Sequence, residues 1–160
     1  MTRTGTAIFA TILGLWTAQG AFAQDVAAAQ DGGEGLVEAA VDPLAPRDAT
    51  TTELSEFLWT HRPIIVFADT PADPRFQEQL ALLTERPQVL LDRDVVIIVD
   101  TDPDARSDIR QDLRPRGFAV VVMTKDGAVG FRSPSPRDIR ELTRRIDNFA
   151  IRQEELRLGG

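Results

Sequence analysis

Five side chains that could bind a ligand lie in two short segments beside apolar runs of the sequence. Asp69, Thr70, Asp73 and Arg75 follow one such run, and Arg116 comes shortly before another. Ligands of open α/β folds commonly bind in the loops at the carboxyl ends of strands, and a guanidinium group forms paired hydrogen bonds with a carboxylate. We therefore predict that these five residues form a binding site.

The arginines of these segments allow two interpretations. Arg75, Arg114 and Arg116 could form a small cationic notch in an acidic protein, suited to a carboxylate or a peptide terminus. Alternatively, they are solvated and paired with acidic neighbours such as Asp108 and Asp112, and exposed pairs of this kind contribute little free energy. The sequence leaves both interpretations open.

The composition excludes several classes of chemistry. The chain has no cysteine, so disulfides, thiol redox reactions, thiolate nucleophiles and thiolate metal ligands are absent. Its single histidine, His61, leaves little scope for a zinc site or a Ser-His-Asp triad. His61 follows a predicted helix, where an imidazole suits the helix dipole, and a site role through its titration near neutral pH is the alternative. We predict no metal site, no cofactor and no thiol–disulfide oxidoreductase activity.

Carboxylates alternate from Asp100 to Asp104, directly after a predicted strand. Oxygen ligands suit calcium, but a calcium loop normally continues with a glycine and a later glutamate. Here Ala105 and Arg106 follow instead. A helix cap with acidic residues in the first turn explains the pattern without a metal.

The net charge is −7 at neutral pH. An acidic domain repels the phosphate backbone of nucleic acids and the anionic surface of a membrane. We therefore expect neither nucleic acid nor a membrane surface as a partner.

Three short β-branched runs, at 63–68, 95–99 and 118–123, predict the strands that must position these side chains. Continuous apolar runs are typical of strands covered on both faces, as in a parallel sheet flanked by helices. After the third run, Asp126-Gly127 leads into a fourth short strand, and this dipeptide favours a hairpin.

Helix starts are indicated by a capping residue followed by proline, or by a capping box. The cap oxygen accepts hydrogen bonds from free amides of the first turn, and proline at the first helical position has no amide to satisfy. The predicted starts are Asp73-Pro74, Asp102-Pro103, Ser135-Pro136 and the box Thr50-x-x-Glu53.

The predicted order is therefore α-β-α-β-α-β-β-α. A parallel βαβ unit followed by a ββα unit is the thioredoxin topology, a three-layer α/β/α sandwich around a four-stranded mixed sheet. In redox-active members the reactive thiol follows the first strand, at a helix N-terminus that favours a thiolate. In this sequence Thr70-Pro71-Ala72-Asp73 stands at that position, so the redox position holds no thiol.

The N-terminal sequence predicts export. Arg3 precedes an apolar run that is too short to span a membrane, and Ala21-Phe22-Ala23 matches a cleavage site. We predict a signal peptide over 1–23, a flexible linker over 24–50 that is poor in core-forming residues, and a thioredoxin-like domain over 51–158. The protein is then periplasmic or secreted, with no membrane span after signal removal.

The sequence also resembles the P-DUDES family, a cysteine-poor, peroxiredoxin-related domain of unknown function 4174 found in exported proteins. The resemblance implies export and a thioredoxin-like fold, and it supplies no catalytic residues. It covers about residues 54–157 and is carried by Arg62-Pro63-x-x-Val66-Phe67, Asp73-Pro74-Arg75-Phe76-Gln77-x-Gln79-Leu80, Arg93-Asp94-Val95, Phe118-Ala119-Val120-Val121 with Lys125-Asp126-Gly127, and Ile146-Asp147 with Arg152 and Glu155.

One segment departs from that family. Members tend to carry a Met-Pro-Met-Arg turn after the final Ile-Asp, whereas this chain has Phe149-Ala150-Ile151-Arg152. Because the proline is missing, we predict that the last helix continues through this segment.

Two functions remain open at this point. The first is a non-catalytic binding module that holds a protein or peptide at the vestigial active-site edge. The alternative is a cysteine-independent enzyme or small-ligand-binding protein that uses Asp69, Thr70 and Arg116, with or without His61. These residues show no nucleophile–base spacing that would identify a reaction.

Overall fold

The computed structural model describes residues 42–159, and these form one mixed sheet with helices on both faces. The strand order across the sheet is β1-β3-β2-β4-β5. The strands are β1 (Arg47–Asp48), β2 (Arg62–Phe67), β3 (Val95–Asp100), β4 (Ala119–Met123) and β5 (Val129–Ser133), and the helices are α1 (Pro74–Thr84), α2 (Pro87–Leu91), α3 (Asp108–Leu113), α4 (Ile139–Asp147) and α5 (Ala150–Leu158).

The three apolar runs form the central strands, as predicted. β2 and β3 are parallel, with Ile64 opposite Ile97, and β4 runs antiparallel to β2. The hairpin between β4 and β5 turns at Gly127, whose φ of +84° is unfavourable for any residue with a Cβ atom. The carboxyl end of β2, the start of β4 and the end of β5 therefore lie at the same end of the sheet.

The sheet has five strands, so the prediction of four was wrong. The additional strand is β1, which pairs in parallel with Ile98 and Val99 of β3. Leu44 and Ala49, on either side of it, are buried. Two residues are too few to show an apolar alternation, and the pairing depends on an edge that only the folded sheet provides.

Part of the segment that the sequence analysis assigned to the linker therefore belongs to the packed unit, from residue 42 to residue 50. The predicted signal peptide over 1–23 and the remainder of the predicted linker lie outside the described residues. No helix among residues 42–159 combines the length and apolar character that crossing a bilayer requires.

Helices cover the two faces of the sheet unequally. On one face, α1, α2 and α4 contribute Phe76, Leu83, Leu90, Leu142 and Ile146 to the larger apolar core. On the other face, the smaller apolar core is covered mainly by short elements, namely α3 and a 3-10 turn over Leu54–Phe57. Part of that second face near β5 consequently lies without a helix above it.

Two of the predicted helix starts are confirmed in their geometry. The Asp73 side chain accepts a hydrogen bond from the Arg75 amide at the start of α1. Asp102 caps a short 3-10 turn over Pro103–Ala105, and Ser107 then caps α3.

The other two predicted starts were wrong. Helix α4 begins after Asp138, whose side chain caps it, rather than at Ser135-Pro136. Thr50 donates to Asp48 instead of capping a helix, and Glu53 makes no capping bond. In each case an alternative polar partner nearby replaces the one expected from spacing alone.

The last helix does not run on, which corrects the prediction made from the missing proline. Helix α4 ends at Asp147, Phe149 adopts an extended conformation (φ −68°, ψ 138°), and α5 starts at Ala150. The Phe149 ring packs over β5 so closely that a Cβ atom on Gly130 would lie 2.4 Å from it. Partial burial of this ring against the core, rather than a proline, thus accompanies the break.

A fully buried arginine lies at the amino end of β2. The Arg62 side chain is 0% exposed, and it donates to the Arg93 carbonyl oxygen at 2.9 Å and to Glu155 Oε1 at 2.7 Å. Asp94 Oδ2 lies 3.6 Å from the same guanidinium group. The first residue of β2 is thereby joined to the start of β3 and to α5.

Other charged groups extend this cluster. Lys125 Nζ, at the β4–β5 hairpin, lies 2.8 Å from Asp94 and 3.1 Å from Glu155. Arg152 donates to Glu155 Oε2 at 3.1 Å. Several segments that carry the family resemblance meet here, although they are far apart in the sequence.

We predict that Glu155→Gln destabilises the protein by about 1.5–3 kcal/mol, the usual contribution of a hydrogen bond to a charged group. Burial raises the pKa of Glu155, but hydrogen bonds from Arg62, Lys125 and Arg152 outweigh this and lower it from 4.5 to about 2. The stabilisation is therefore complete above pH 4.5 and is lost as the pH falls towards 2. Urea unfolding between pH 7 and pH 2 would show a shallower acid decline in the variant.

Glu154→Gln is the matched control, because Glu154 pairs only with Arg157 at the exposed surface of α5. It should change the free energy of unfolding by less than about 1 kcal/mol. Equal pH profiles for wild type and the Glu155 variant would contradict the assignment.

Candidate binding site at the carboxyl ends of the strands

Asp73 and Arg75 are bonded to each other at the start of α1. The Arg75 guanidinium donates to both Asp73 oxygens, with the shorter contact at 2.8 Å, and the Arg75 amide donates to Oδ1. The guanidinium hydrogen bond lowers the pKa of Asp73 and raises that of Arg75. Asp73 therefore has a structural role as the cap of α1, and Arg75 holds its carboxylate.

The loop after β2 lies beside the loop before β4. The Arg75 guanidinium carbon lies 5.2 Å from the centre of the Phe118 ring. Gly117, with φ of +64°, is a neighbour of Asp69, and a Cβ atom at this position would be in ordinary contact with Asp69 Oδ2, at 3.5 Å. The structure thus brings together the two segments that the sequence analysis proposed as one site.

Thr70 and Asp69 have different surroundings within the first loop. The Thr70 hydroxyl accepts a hydrogen bond from the Ala72 amide and so closes the turn that precedes α1. The Asp69 side chain is 66% exposed, and its nearest cation is Arg110 at 3.9 Å. Asp69 is consequently the carboxylate of this loop that remains accessible to solvent.

A buried ion pair that the sequence analysis did not identify supports this loop from below. Arg110 of α3 donates through Nε and Nη2 to Asp100 Oδ1, at 2.9 and 2.7 Å, and Nη2 also donates to the Ala68 carbonyl at 2.7 Å. The Ser107 hydroxyl donates to Asp100 Oδ2 at 2.6 Å. The chain is therefore held at the point where β2 ends and the site loop begins.

Asp100 is thus bonded to Arg110 and Ser107, and Asp102 caps its 3-10 turn. No group of three or more potential metal ligands comes together within residues 42–159. The alternation of carboxylates after β3 is accounted for by these hydrogen bonds.

Arg116 lies in a shallow depression of about 420 Å³ between the α3–β4 loop and the end of β5. Arg114 and Arg132 line the same depression, so three arginines contribute to its walls. Its remaining lining is mostly apolar and comprises Leu113, Phe118, Ala119 and Pro134, with Ser133.

Within residues 42–159 none of these three arginines forms an ion pair, and neither Asp108 nor Asp112 pairs with any of them. The hydrogen bonds of Arg132 and Arg114 go to the carbonyl oxygens of Leu113 and Gln111. Two of the three arginines predicted to form a notch, Arg114 and Arg116, line this depression. The third, Arg75, is bonded to Asp73 instead, and Arg132 lines the depression in its place.

Arg132 was missed because its position depends on the hairpin. It lies opposite Val121, in a register that shifts by a bulge between Val122 and Met123. A single-residue shift moves a side chain to the other face of a sheet. The alternation of side chains along β5 could therefore have predicted that Arg132 is exposed, but not which residues lie beside it.

His61 lies away from this site. It immediately precedes β2, whereas Asp69 follows the other end of that strand, and six residues of extended chain span about 20 Å. Its ring contacts Thr60 Oγ1 at 3.0 Å and packs edge-on against Phe57. His61 therefore does not join Asp69, Thr70 and Arg116, the other residues of the alternative enzyme hypothesis.

The comparison with protein families decides the membership of this chain. Residues 53–155 match the family described as Domain of unknown function (DUF4174). The chain belongs to this family. The DUF4174 match and the peroxiredoxin-like fold support the resemblance seen in the sequence, and the P-DUDES name itself stays a resemblance.

The fold of this DUF4174 protein is thioredoxin-like. Eight chains of solved structures match it, and one is the crystal structure of the reduced 2-Cys peroxiredoxin of Plasmodium vivax. That alignment has a TM-score of 0.52 and 16% sequence identity, and it covers 65% of this chain and 85% of the peroxiredoxin. No match was found among the curated proteins. At this identity the likeness establishes the fold alone.

The buried pair of the DUF4174 domain generates a prediction. Asp100→Asn would leave the guanidinium group of Arg110 without its charged partner, and breaking a buried pair in this way costs about 3–5 kcal/mol. We expect a lower free energy of urea unfolding and faster amide hydrogen exchange over residues 68–73, which Arg110 fastens through the Ala68 carbonyl.

The control is Asp102→Asn, which changes only the exposed cap of the 3-10 turn. Asparagine is itself a good cap, so a loss below about 1 kcal/mol is expected. Equal losses in the two variants would argue against a supporting role for the Asp100–Arg110 pair.

Proposed function

We propose that this protein is an exported, non-catalytic binding module that holds a protein or peptide partner through carboxylates at the depression lined by Arg114, Arg116 and Arg132. The observation that carries the proposal is that three arginines line one depression, with no ion pair to another described residue, in a chain of net charge −7.

The physical argument concerns like charges. Three neighbouring guanidinium groups repel one another, and a bound carboxylate relieves that repulsion while accepting paired hydrogen bonds. The apolar floor formed by Leu113, Phe118 and Pro134 reduces the access of water to these bonds and so strengthens them. An acidic segment of a partner is therefore the chemistry that the depression suits.

The predicted residues of the first loop lie near this depression without lining it. Phe118 lines the depression and lies against Arg75, whose guanidinium group is held by Asp73. Asp69 and Thr70 belong to the same loop, and the exposed Asp69 carboxylate would repel an anion that approached from that side. These residues would limit where the partner lies rather than provide its main contacts.

The chemistry of these residues favours binding over catalysis. Thiol redox reactions are excluded, because the chain has no cysteine. The remaining enzyme hypothesis loses His61, which lies at the opposite end of β2, and its other residues, Asp69, Thr70 and Arg116, show no nucleophile–base spacing. Export rests on the sequence of residues 1–23, and the proposal places the protein in the periplasm or outside the cell.

A fluorescent peptide with four consecutive glutamates tests the proposal by anisotropy. We expect binding that weakens with added salt and that falls at least about tenfold in the double variant Arg116→Glu/Arg132→Glu. Loss of hydrogen bonds to charged groups accounts for such a change.

The matched control is Arg140→Glu/Arg144→Glu, which introduces the same charge change at exposed positions of α4. Equal loss in both variants would show that only net charge matters and would overturn the site. A wild-type protein that does not bind the peptide would overturn the proposal itself.

A further inference from the structure

A second depression lies on the same side of the sheet, nearer to the β4–β5 hairpin. It measures about 400 Å³. Its apolar lining consists of Leu54, Leu58, Leu113, Met123 and Val129.

This depression is open because no helix covers the sheet there. Helix α3 ends at Leu113, and the 3-10 turn over Leu54–Phe57 is only four residues long. Leu58 and Val129 consequently remain 41% and 46% exposed. Neighbouring apolar side chains at this exposure are typical of an interaction surface.

Trp59 adds a large aromatic surface next to Leu58. Its side chain is 70% exposed, and its backbone has a φ of 63°, which is a strained conformation for a bulky residue. The hydrogen bond from its amide to the Lys125 carbonyl, at 2.6 Å, holds that conformation. Strain that the surroundings maintain is found more often at functional sites than elsewhere.

The apolar depression is continuous with the arginine depression, which is the one lined by Arg114, Arg116 and Arg132. Leu113 lines both, and its carbonyl oxygen accepts a hydrogen bond from Arg132 at 2.7 Å. Arg132 and Val129 lie opposite Val121 and Met123, which both belong to the smaller core, so they share one face of β5. Because the bulge takes up one residue of β5, their partners are only two residues apart on β4, which corresponds to about 7 Å.

The charges around this surface change sign from one end to the other. The arginine depression contains no carboxylate, whereas Asp112 and Asp126 lie at the border of the apolar depression. A ligand with its carboxylates at the apolar end would meet these acids. Charge complementarity therefore fixes which end of a ligand lies where.

We infer that the two depressions together bind an extended acidic peptide segment in which an apolar side chain stands about two to three residues from a pair of glutamates or aspartates. The carboxylates occupy the arginine depression, and the apolar side chain contacts Leu58, Trp59 and Val129. This inference rests on the proposed function, because it needs the arginine depression to bind carboxylates.

Labelled peptides separate the two features. The probe has two leucines, a Gly-Ser spacer and three glutamates, and it is made in both chain directions. One comparison peptide replaces the leucines by serines, and another brings the leucines next to the glutamates. We expect the better direction of the probe to bind about tenfold more tightly than either comparison peptide.

Two variants assign the apolar contact to this surface. Trp59→Gly removes the side chain and relieves the positive φ, so the protein should keep its melting temperature. Val129→Thr replaces an apolar side chain by a polar one of the same shape. Each should weaken the leucine probe at least about fivefold and leave the serine peptide unchanged. Leu156→Ser, at an exposed position of α5, should change neither.

The outcomes distinguish the two proposals. Equal affinity for the leucine and serine peptides would overturn this inference while the arginine site stands, and failure of all acidic peptides would overturn both. Sedimentation of the free protein decides the remaining possibility. A dimer that Val129→Thr dissociates would show that a second copy covers the apolar depression, and it would also overturn the inference.

Discussion

The interaction on which the structure depends is the pairing of the fully buried Arg62 with Glu155. Arg62 lies at the first residue of a central strand, and removing a guanidinium group from water costs several kcal/mol unless it is paired. Its partners come from the start of β3 and from α5, and Lys125 ties the hairpin to the same carboxylate. Burial of this charge therefore specifies how the last helix closes on the sheet.

A second buried pair, Asp100–Arg110, holds the opposite end of the sheet. Together the two pairs hold the strands from which the loops after β2 and before β4 extend. The exposed side chains of these loops therefore do not have to hold the loops in place. Such support is what a binding site requires, because affinity falls when a partner must first order the residues that contact it. The absence of a thiol in the sequence is compatible with a site that works only through contacts.

The uneven covering of the sheet explains where this site can extend. Three helices cover one face, whereas α3 and a 3-10 turn leave the region around β5 partly open on the other. Arg132 and Val129 lie side by side on that open region. A fold that positions a thiol in other proteins here presents a surface that carries arginines at one end and apolar groups at the other.

The sequence alone determined the central strands, the hairpin, the helix that starts at Asp73 and the lack of thiol chemistry, because apolar runs, turn residues, caps and composition are local properties. It placed Arg114 and Arg116 in the correct loop. Only the tertiary structure decided the fifth strand, the break at Phe149 and the buried partners of Arg62 and Asp100. It also decided that Arg132, rather than Arg75, lines the arginine depression together with Arg114 and Arg116. These features depend on strand register and on the burial of charge, which join residues far apart in the chain and leave no periodic signal in it.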